Sequence, residues 1–364
     1  MLTTFIGLPL DQLDTPLLVA DLDALDRNIA LMAAATKERG VNWRPHAKAN
    51  KSPAVAHREL AAGAIGITCA KLGEAEVFAA AGINDILIAN QVVGPIKARR
   101  LAALATFCDV MVAVDSIENA RELDAAAAQV GSRPRVLIEV DSGMGRAGVA
   151  PGDASVDLAR QLQELSALRF AGVMAWEGHA VAIAEAGPRT AAIQEAVERL
   201  SSTADAIRAA GIPVSIVSCG GTGTFLEVSG AAGVTEVQAG GGIFGDGFYR
   251  GLDVPVEPAL SLVVTVTSRP TPRRIIFDAG RKTVDPSNVA PAPVGIEGVV
   301  SVALSAEHGS IKLDRDLDTP RVGDRLMLQI GYSDQAIHLH ENLYIAREGR
   351  LVAIWPTLTR GRLQ

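Results

Sequence analysis

The chain has 364 residues, 48% hydrophobic and 21% charged, with 34 Lys+Arg against 41 Asp+Glu and a net charge of −7. That excludes a disordered chain, and the acidic balance argues against a nucleic-acid partner, which a basic stripe would announce. No apolar run reaches the roughly 18 residues that span a bilayer, residues 1–5 lack a leader's basic-then-apolar order, and Cys69, Cys108 and Cys219 form neither zinc spacing nor a disulfide framework, so no membrane association and a reducing, cytoplasmic location are expected.

In chain order, the segment Asp14 to Asp21 reads as a strand ending at an Asp helix cap. The helix after it carries Leu22, Leu25, Ile29 and Met32 on one stripe and stops at Gly40. From about residue 42 to 240, short apolar runs alternate with alanine-rich amphipathic stretches such as Gly73 to Ala81, Ile117 to Ala128 and Ala191 to Ala210. The runs begin near Val41, Ala64, Asp85, Asp109, Arg135, Arg169, Val214 and Thr235. Val136-Leu137-Ile138-Glu139-Val140 is nearly all apolar, as in a strand covered on both faces. These repeated units predict an α/β fold built as a (β/α)8 barrel, with a doubly wound open sheet as the alternative, since counting strands does not prove closure. After Pro255 the helical patterns vanish and strands are expected at Leu262 to Val266, Ile275 to Phe277, Val299 to Leu304, Arg325 to Ile330, Leu343 to Ala346 and Leu351 to Trp355. The expected division is a barrel over residues 14–252 and a C-terminal β-rich domain over 253–364, with residues 1–21 able to pair with the β domain.

Three segments carry chemistry. Lys48, in Arg44-Pro45-His46-Ala47-Lys48-Ala49-Asn50, follows an apolar strand at the rim where barrel active sites are built, and its amine can form a Schiff base once burial or a cationic neighbour lowers its pKa. Taken alone it is equally a solvated rim lysine. Arg146, in Asp141-Ser142-Gly143-Met144-Gly145-Arg146-Ala147-Gly148, sits at the same rim and suits an oxyanion. Two glycine-rich turns, Cys219-Gly220-Gly221-Thr222-Gly223 and Ala239-Gly240-Gly241-Gly242, follow the last two barrel strands, where backbone N–H groups cradle phosphate. Together these point to a phosphorylated aldehyde cofactor.

Lys48-Ala49-Asn50, the Asp-x-Gly-x-x-Arg-x-Gly run from Asp141 to Gly148, and the order of barrel then β domain resemble fold-type III pyridoxal-phosphate enzymes. Trp176-Glu177-Gly178-His179, Phe277-Asp278-Ala279-Gly280-Arg281-Lys282, Glu307-His308-Gly309 and Trp355-Pro356 narrow the resemblance to the D-threonine aldolase/D-serine dehydratase family. The resemblance implies pyridoxal 5'-phosphate on Lys48, with that lysine also moving the Cα proton. It implies Arg146 against the phenolic oxygen, and phosphate on Gly221, Thr222, Gly240 and Gly241. Trp176 and His179 would lie beside the cofactor, although a purely structural role competes for His179. Gln238 falls where alanine racemases place an arginine near the pyridine nitrogen.

Family members hold a divalent ion (Mn²⁺, Mg²⁺ or Zn²⁺) through a His-x-Cys or His-x-Asp pair. That pair falls on Tyr332-Ser333-Asp334 and is not intact. Asp334 could still ligate, and His338 with His340 would make a competent pair on one strand face. Tyr332, in Gly331-Tyr332-Ser333-Asp334, also resembles the racemase tyrosine and is a candidate acid–base. The implied function is a lyase acting on a small D-configured β-hydroxy amino acid, by retro-aldol cleavage to glycine and an aldehyde. Dehydration to a 2-oxo acid, racemisation and a non-catalytic cofactor carrier are the alternatives. The family's domain order implies a homodimer.

Overall fold

The computed structural model describes residues 5–364. The chain forms two compact units. One holds the described residues through Leu31, Ala49–Val55 and Gly241–Gly361, and the other holds Met32–Lys48, Ala56–Gly240 and Arg362–Gln364.

In the first unit, β1 (Leu17–Asp21) lies between two strands from far along the chain. The second unit is built on β2 (Asn42–Trp43), β3 (Ile67–Cys69), β4 (Asp85–Gln91), β5 (Asp109–Val114), β6 (Arg135–Glu139), β7 (Arg169–Met174), β8 (Ile216–Cys219) and β9 (Glu236–Val237). These strands pair in parallel in the order β2-β9-β8-β7-β6-β5-β4-β3. The two ends of that order meet: Ile65 N–H donates to the Trp43 carbonyl at 2.9 Å, Thr68 N–H donates to Pro45 at 2.8 Å, and His46 bridges Thr68 in parallel. The sheet therefore closes as a (β/α)8 barrel, and the open-sheet alternative falls away.

Each barrel strand starts within three residues of its expected position. Parallel strands covered on both faces leave continuous apolar runs, and Val136 to Glu139 are all buried here. Caps set the helix ends. Ser116 Oγ accepts Asn119 N–H at 3.3 Å to open helix Ile117–Val130, and Gly131 closes it with φ +68°. Asp21 Oδ1 accepts Ala24 N–H at 2.8 Å at the head of helix Leu22–Glu38.

Charged residues close the N-terminal end of the barrel. Asp85, Asp109, Arg135, Arg169 and Glu236 are the first residues of their strands. Arg44 donates to Asp85 at 2.8 Å and to Glu236 at 2.9 Å, Arg135 bonds Asp85 at 2.5 Å and Asp109 at 2.9 Å, and Arg169 reaches Asp109 at 3.1 Å. Arg44 and Glu236 are 1% and 2% exposed, so each depends on the other for compensation of its charge.

In the first unit, β1 pairs antiparallel with β10 (Leu260–Thr271) and parallel with β16 (Asn342–Arg347). The remaining strands are β11 (Arg274–Phe277), β12 (Ala292–Pro293), β13 (Val299–Leu304), β14 (Gly309–Leu313), β15 (Arg325–Gln329) and β17 (Arg350–Pro356). They run in the order β13-β14-β11-β10-β1-β16-β17, with β15 joining β10 and β12. A core of Leu13, Leu17, Val19, Val263, Ala346 and Leu351 fastens β1 there. No helix among the described residues is long and apolar enough to cross a membrane.

Replacing Arg44 by Leu strips the buried Glu236 carboxylate of its cation. A loss of about 3–5 kcal/mol is expected, read as a lower urea midpoint. A loss under about 0.5 kcal/mol would mean that the pair does not hold the barrel floor.

Candidate active site

Lys48 owes its place to the strand before it. On one side of that segment, Arg44 N–H donates to Val237 O at 2.9 Å, His46 N–H to Gln238 O at 3.0 Å, and the Trp43 indole to Ala239 O at 2.7 Å. Gly240 permits this approach, because a Cβ there would stand 2.5 Å from His46 N and O. Lys48 then sits half-buried in the turn Ala47–Ala49. Its Nζ lies 5.7 Å from the centre of the Trp176 ring, and the Arg146 guanidinium carbon lies 5.2 Å from the same ring. Two cations thus lie against one aromatic ring.

The loop after β6 carries Arg146. Asp141 Oδ1 accepts N–H bonds from Gly145 at 2.9 Å and Gly143 at 3.1 Å, which hold its carboxyl below the usual range. Arg146 reaches the buried Glu139 at 3.4 Å, and Glu139's other oxygen accepts Gln91 at 2.6 Å. Trp176 follows β7 and is boxed by glycines: a Cβ on Gly178 would lie 2.5 Å from its ring and one on Gly221 2.9 Å from its Nε1. His179 packs on Gly143, where a Cβ would stand 3.0 Å from Nε2, and its buried Nδ1 has no hydrogen-bond partner in the protein.

The turn after β8 is braced from beneath. Glu177 is buried and accepts the Thr224 hydroxyl and, at 3.3 Å, Gly220 N–H, while burial pushes its carboxyl up. Thr224 Oγ1 accepts Gly221 N–H at 3.1 Å, and Thr222 is buried in the same turn. The Cys219 thiol, buried beside Glu177, is pushed up by that burial. After β9, the buried Gln238 donates from Nε2 to Ser218 Oγ at 3.0 Å. Lys48, Arg146, Trp176, His179, Gly221, Thr222, Gln238 and Gly240 therefore all leave the C-terminal ends of parallel strands. Glu177 and Ser218 are support that the sequence reading assigned no role. Glu177's place inside the Trp-Glu-Gly-His run was the only signal.

The remaining candidates belong to the β-rich unit. A Cβ on Gly241 would stand 2.6 Å from the Tyr249 ring. Tyr332 packs on Phe248 at 4.8 Å and Tyr249 at 5.9 Å between ring centres. The Tyr249 hydroxyl donates to Tyr332, which donates to Asp334, and burial pushes both phenols up. Asp246 anchors the Tyr332 turn, accepting Ser333 N–H at 2.8 Å and its hydroxyl at 2.7 Å, and burial pushes its carboxyl up to about 6. His338 is exposed, with Nδ1 donating to the Asp334 carbonyl at 3.1 Å. His340 Nε2 donates to Thr283 O at 2.8 Å, and burial pushes that imidazole down.

Residues Ile337–Leu339 form a 3-10 turn, so strand alternation does not put His338 and His340 on one face. Among the described residues no three His, Cys, Asp or Glu side chains gather to hold a metal ion.

Residues 20–247 match the family described as alanine racemase, N-terminal domain, and residues 259–346 match a serine dehydratase domain. The chain belongs to the alanine racemase-like family of fold-type III pyridoxal-phosphate enzymes. It is 38% identical to a D-threonine aldolase of an Arthrobacter species, over 98% of this chain and 95% of that one. A 3-hydroxy-D-aspartate aldolase of Paracoccus denitrificans is 33% identical over 98% of this chain and 94% of its own. The crystal structure of D-threonine aldolase from Filomicrobium marinum superposes with a TM-score of 0.95 at 35% identity, covering 99% of both chains. The protein is a pyridoxal-phosphate-dependent lyase.

The rim fits that cofactor. It offers a lysine and an arginine over one aromatic ring and a glycine turn with no room for a Cβ against Trp176. Gly178→Ala should displace the Trp176 ring and lower activity on the order of 10²-fold, together with a changed tryptophan emission. Unchanged emission and activity would show that the ring's position does not matter.

Proposed function

We propose that the protein cleaves D-configured β-hydroxy amino acids between Cα and Cβ, giving glycine and an aldehyde. The observation that carries this is Lys48 and Arg146 against one Trp176 ring, in a chain matching an aldolase along 98% of its length. Pyridoxal phosphate, when bound, supplies a conjugated ring that accepts the electron pair left on Cα.

The protein's own groups do the rest. Lys48 holds the cofactor's aldehyde carbon and later moves a proton at Cα. Arg146, steadied by Glu139 at 3.4 Å, sets a fixed positive charge at the phenolic oxygen. The turn braced by Glu177, where Gly221 leaves room for a close approach, would hold the phosphate through the Thr222 hydroxyl and the Gly240 backbone. Trp176 walls the ring from water. His179, in the segment after β7 with Trp176, takes the proton of the substrate's β-hydroxyl, so that the C=O forms as the Cα–Cβ bond breaks. Tyr332 is the acid–base group of the β-rich unit, with Asp334 to receive its proton.

Among the described residues Asp334, His338 and His340 do not gather into a set that could hold an ion, and Tyr332 stands where the family's imidazole ligand falls. The reaction is therefore written with protein groups alone. The family's domain order supports a homodimer, and three buried free cysteines support a reducing, cytoplasmic setting.

The test incubates cofactor-loaded protein with D-threonine and D-serine and assays glycine, aldehyde, 2-oxo acid and chirality together. Glycine with acetaldehyde is expected from D-threonine, persisting in EDTA and falling on the order of 10²–10⁴-fold in Lys48→Ala. A 2-oxo acid with ammonia would replace cleavage by dehydration. Racemised amino acid alone would overturn the lyase reading for this substrate class, and cofactor attachment without product would mark a carrier. Loss in EDTA with recovery in Mn²⁺ would contradict the metal-free account.

A further inference from the structure

Gln238 is nearly sealed from water, 9% exposed, and its backbone N–H is shared between Cys219 O at 3.3 Å and Gly220 O at 3.1 Å. Its side-chain amide could in principle face either way, since the two ends of the amide are nearly isosteric. The surroundings decide. Arg44 Nε donates to Glu236 Oε2 at 2.9 Å, so Glu236 is a carboxylate and can only accept hydrogen bonds. Ser218 Oγ lies 2.8 Å from Glu236 Oε1 and must give that oxygen its single proton. The serine is then left with acceptor capacity alone, and the group 3.0 Å away on Gln238 has to be the NH₂. The amide carbonyl oxygen is what remains for a ligand. Serine and glutamate are 0% and 2% exposed, so no water competes for these bonds.

We propose that Arg44, Glu236 and Ser218 are positioning residues that fix the Gln238 carbonyl oxygen toward the ring nitrogen of the bound cofactor, so that this nitrogen keeps its proton. The inference rests on the functional reading above. A carbonyl oxygen favours a ring N–H⁺ and repels a bare lone pair, whereas an arginine at this position would offer only donors. A ring that keeps its proton draws electrons from Cα more strongly. The other ionisable groups on the elements packed against Gln238 are His46, whose N–H donates to Gln238 O at 3.0 Å, Lys48 on the same segment, Glu177, which accepts Gly220 N–H, and Cys219; none of them changes among the variants below.

The experiment loads the enzyme with ring-¹⁵N-labelled pyridoxal phosphate and follows the nitrogen's chemical shift against pH, without substrate. Wild type should show the protonated position at neutral pH. Ser218→Ala and Glu236→Gln should each lower the pH at which the proton is lost by about one unit, a tenfold change in the equilibrium. Gln238→Leu should do the same, and adding Ser218→Ala to it should change nothing more. Should Ser218→Ala fail to fold, Ser218→Cys, which keeps the bulk and replaces the hydroxyl by a weak donor, carries the test. An unprotonated nitrogen in wild type, variants titrating like wild type, or a serine effect surviving in the Gln238→Leu background would overturn the proposal. Cofactor that attaches but shows one of these results sinks only this inference; cofactor that never attaches to the lysine sinks the functional reading as well.

Discussion

The segment Asn42 to His46 is hydrogen-bonded on both sides, to Thr235, Val237 and Gln238 along one edge and to Ile65 and Thr68 along the other. That double pairing turns a curled sheet into a ring. It also leaves the chain little freedom over the next two residues, where Lys48 emerges. Gly240 is part of the same constraint, since any side chain there would meet the His46 backbone at 2.5 Å. Barrel closure and the placement of Lys48 are one structural event, and the Arg44 side chain, in the middle of the segment, is its electrostatic anchor.

Charge is sorted along the barrel axis. The N-terminal end holds the ring of Asp85, Asp109, Arg135, Arg169, Glu236 and Arg44, and the C-terminal rim holds Lys48, Arg146 and Trp176, the residues proposed to meet the cofactor. Between them lies an apolar layer of Leu87, Met111, Ala113, Leu137 and Met174. Burying ions is tolerable at the floor because every charge there has an opposite partner. Glu236, Ser218 and Gln238 then form a hydrogen-bonded path from the floor to the rim. A polar path through a packed interior orients its members, because each lost bond would leave a buried group unsatisfied.

The barrel was legible because parallel strands leave continuous apolar runs and because Asp, Ser and Gly mark helix ends; Val136 to Glu139 and the Ser116 and Gly131 caps are examples. The rim positions of Lys48 and Arg146 were legible because each follows an apolar strand. The support around them was not. Arg44 and Glu236 are separated by 192 residues and Glu177 and Thr224 by 47, and no local pattern announces such pairs. The alternating histidines His338 and His340 misled for a related reason. Periodicity two implies a strand only where the chain is extended, and here Asp246 holds Ser333 from 87 residues away at the head of two successive 3-10 turns. The same tether helps place Gly241 onward with the β-rich unit, while the change in sequence texture comes later, near Pro255.

The central claim is that strand pairing around residues 42–46 delivers one particular lysine to the cofactor. Reducing cofactor-loaded protein with borohydride and mapping the modified peptide by mass spectrometry tests it directly. The account predicts a pyridoxyl group on Lys48 alone. Modification of Lys51 or Lys71 in its place, or no stable adduct, would contradict it.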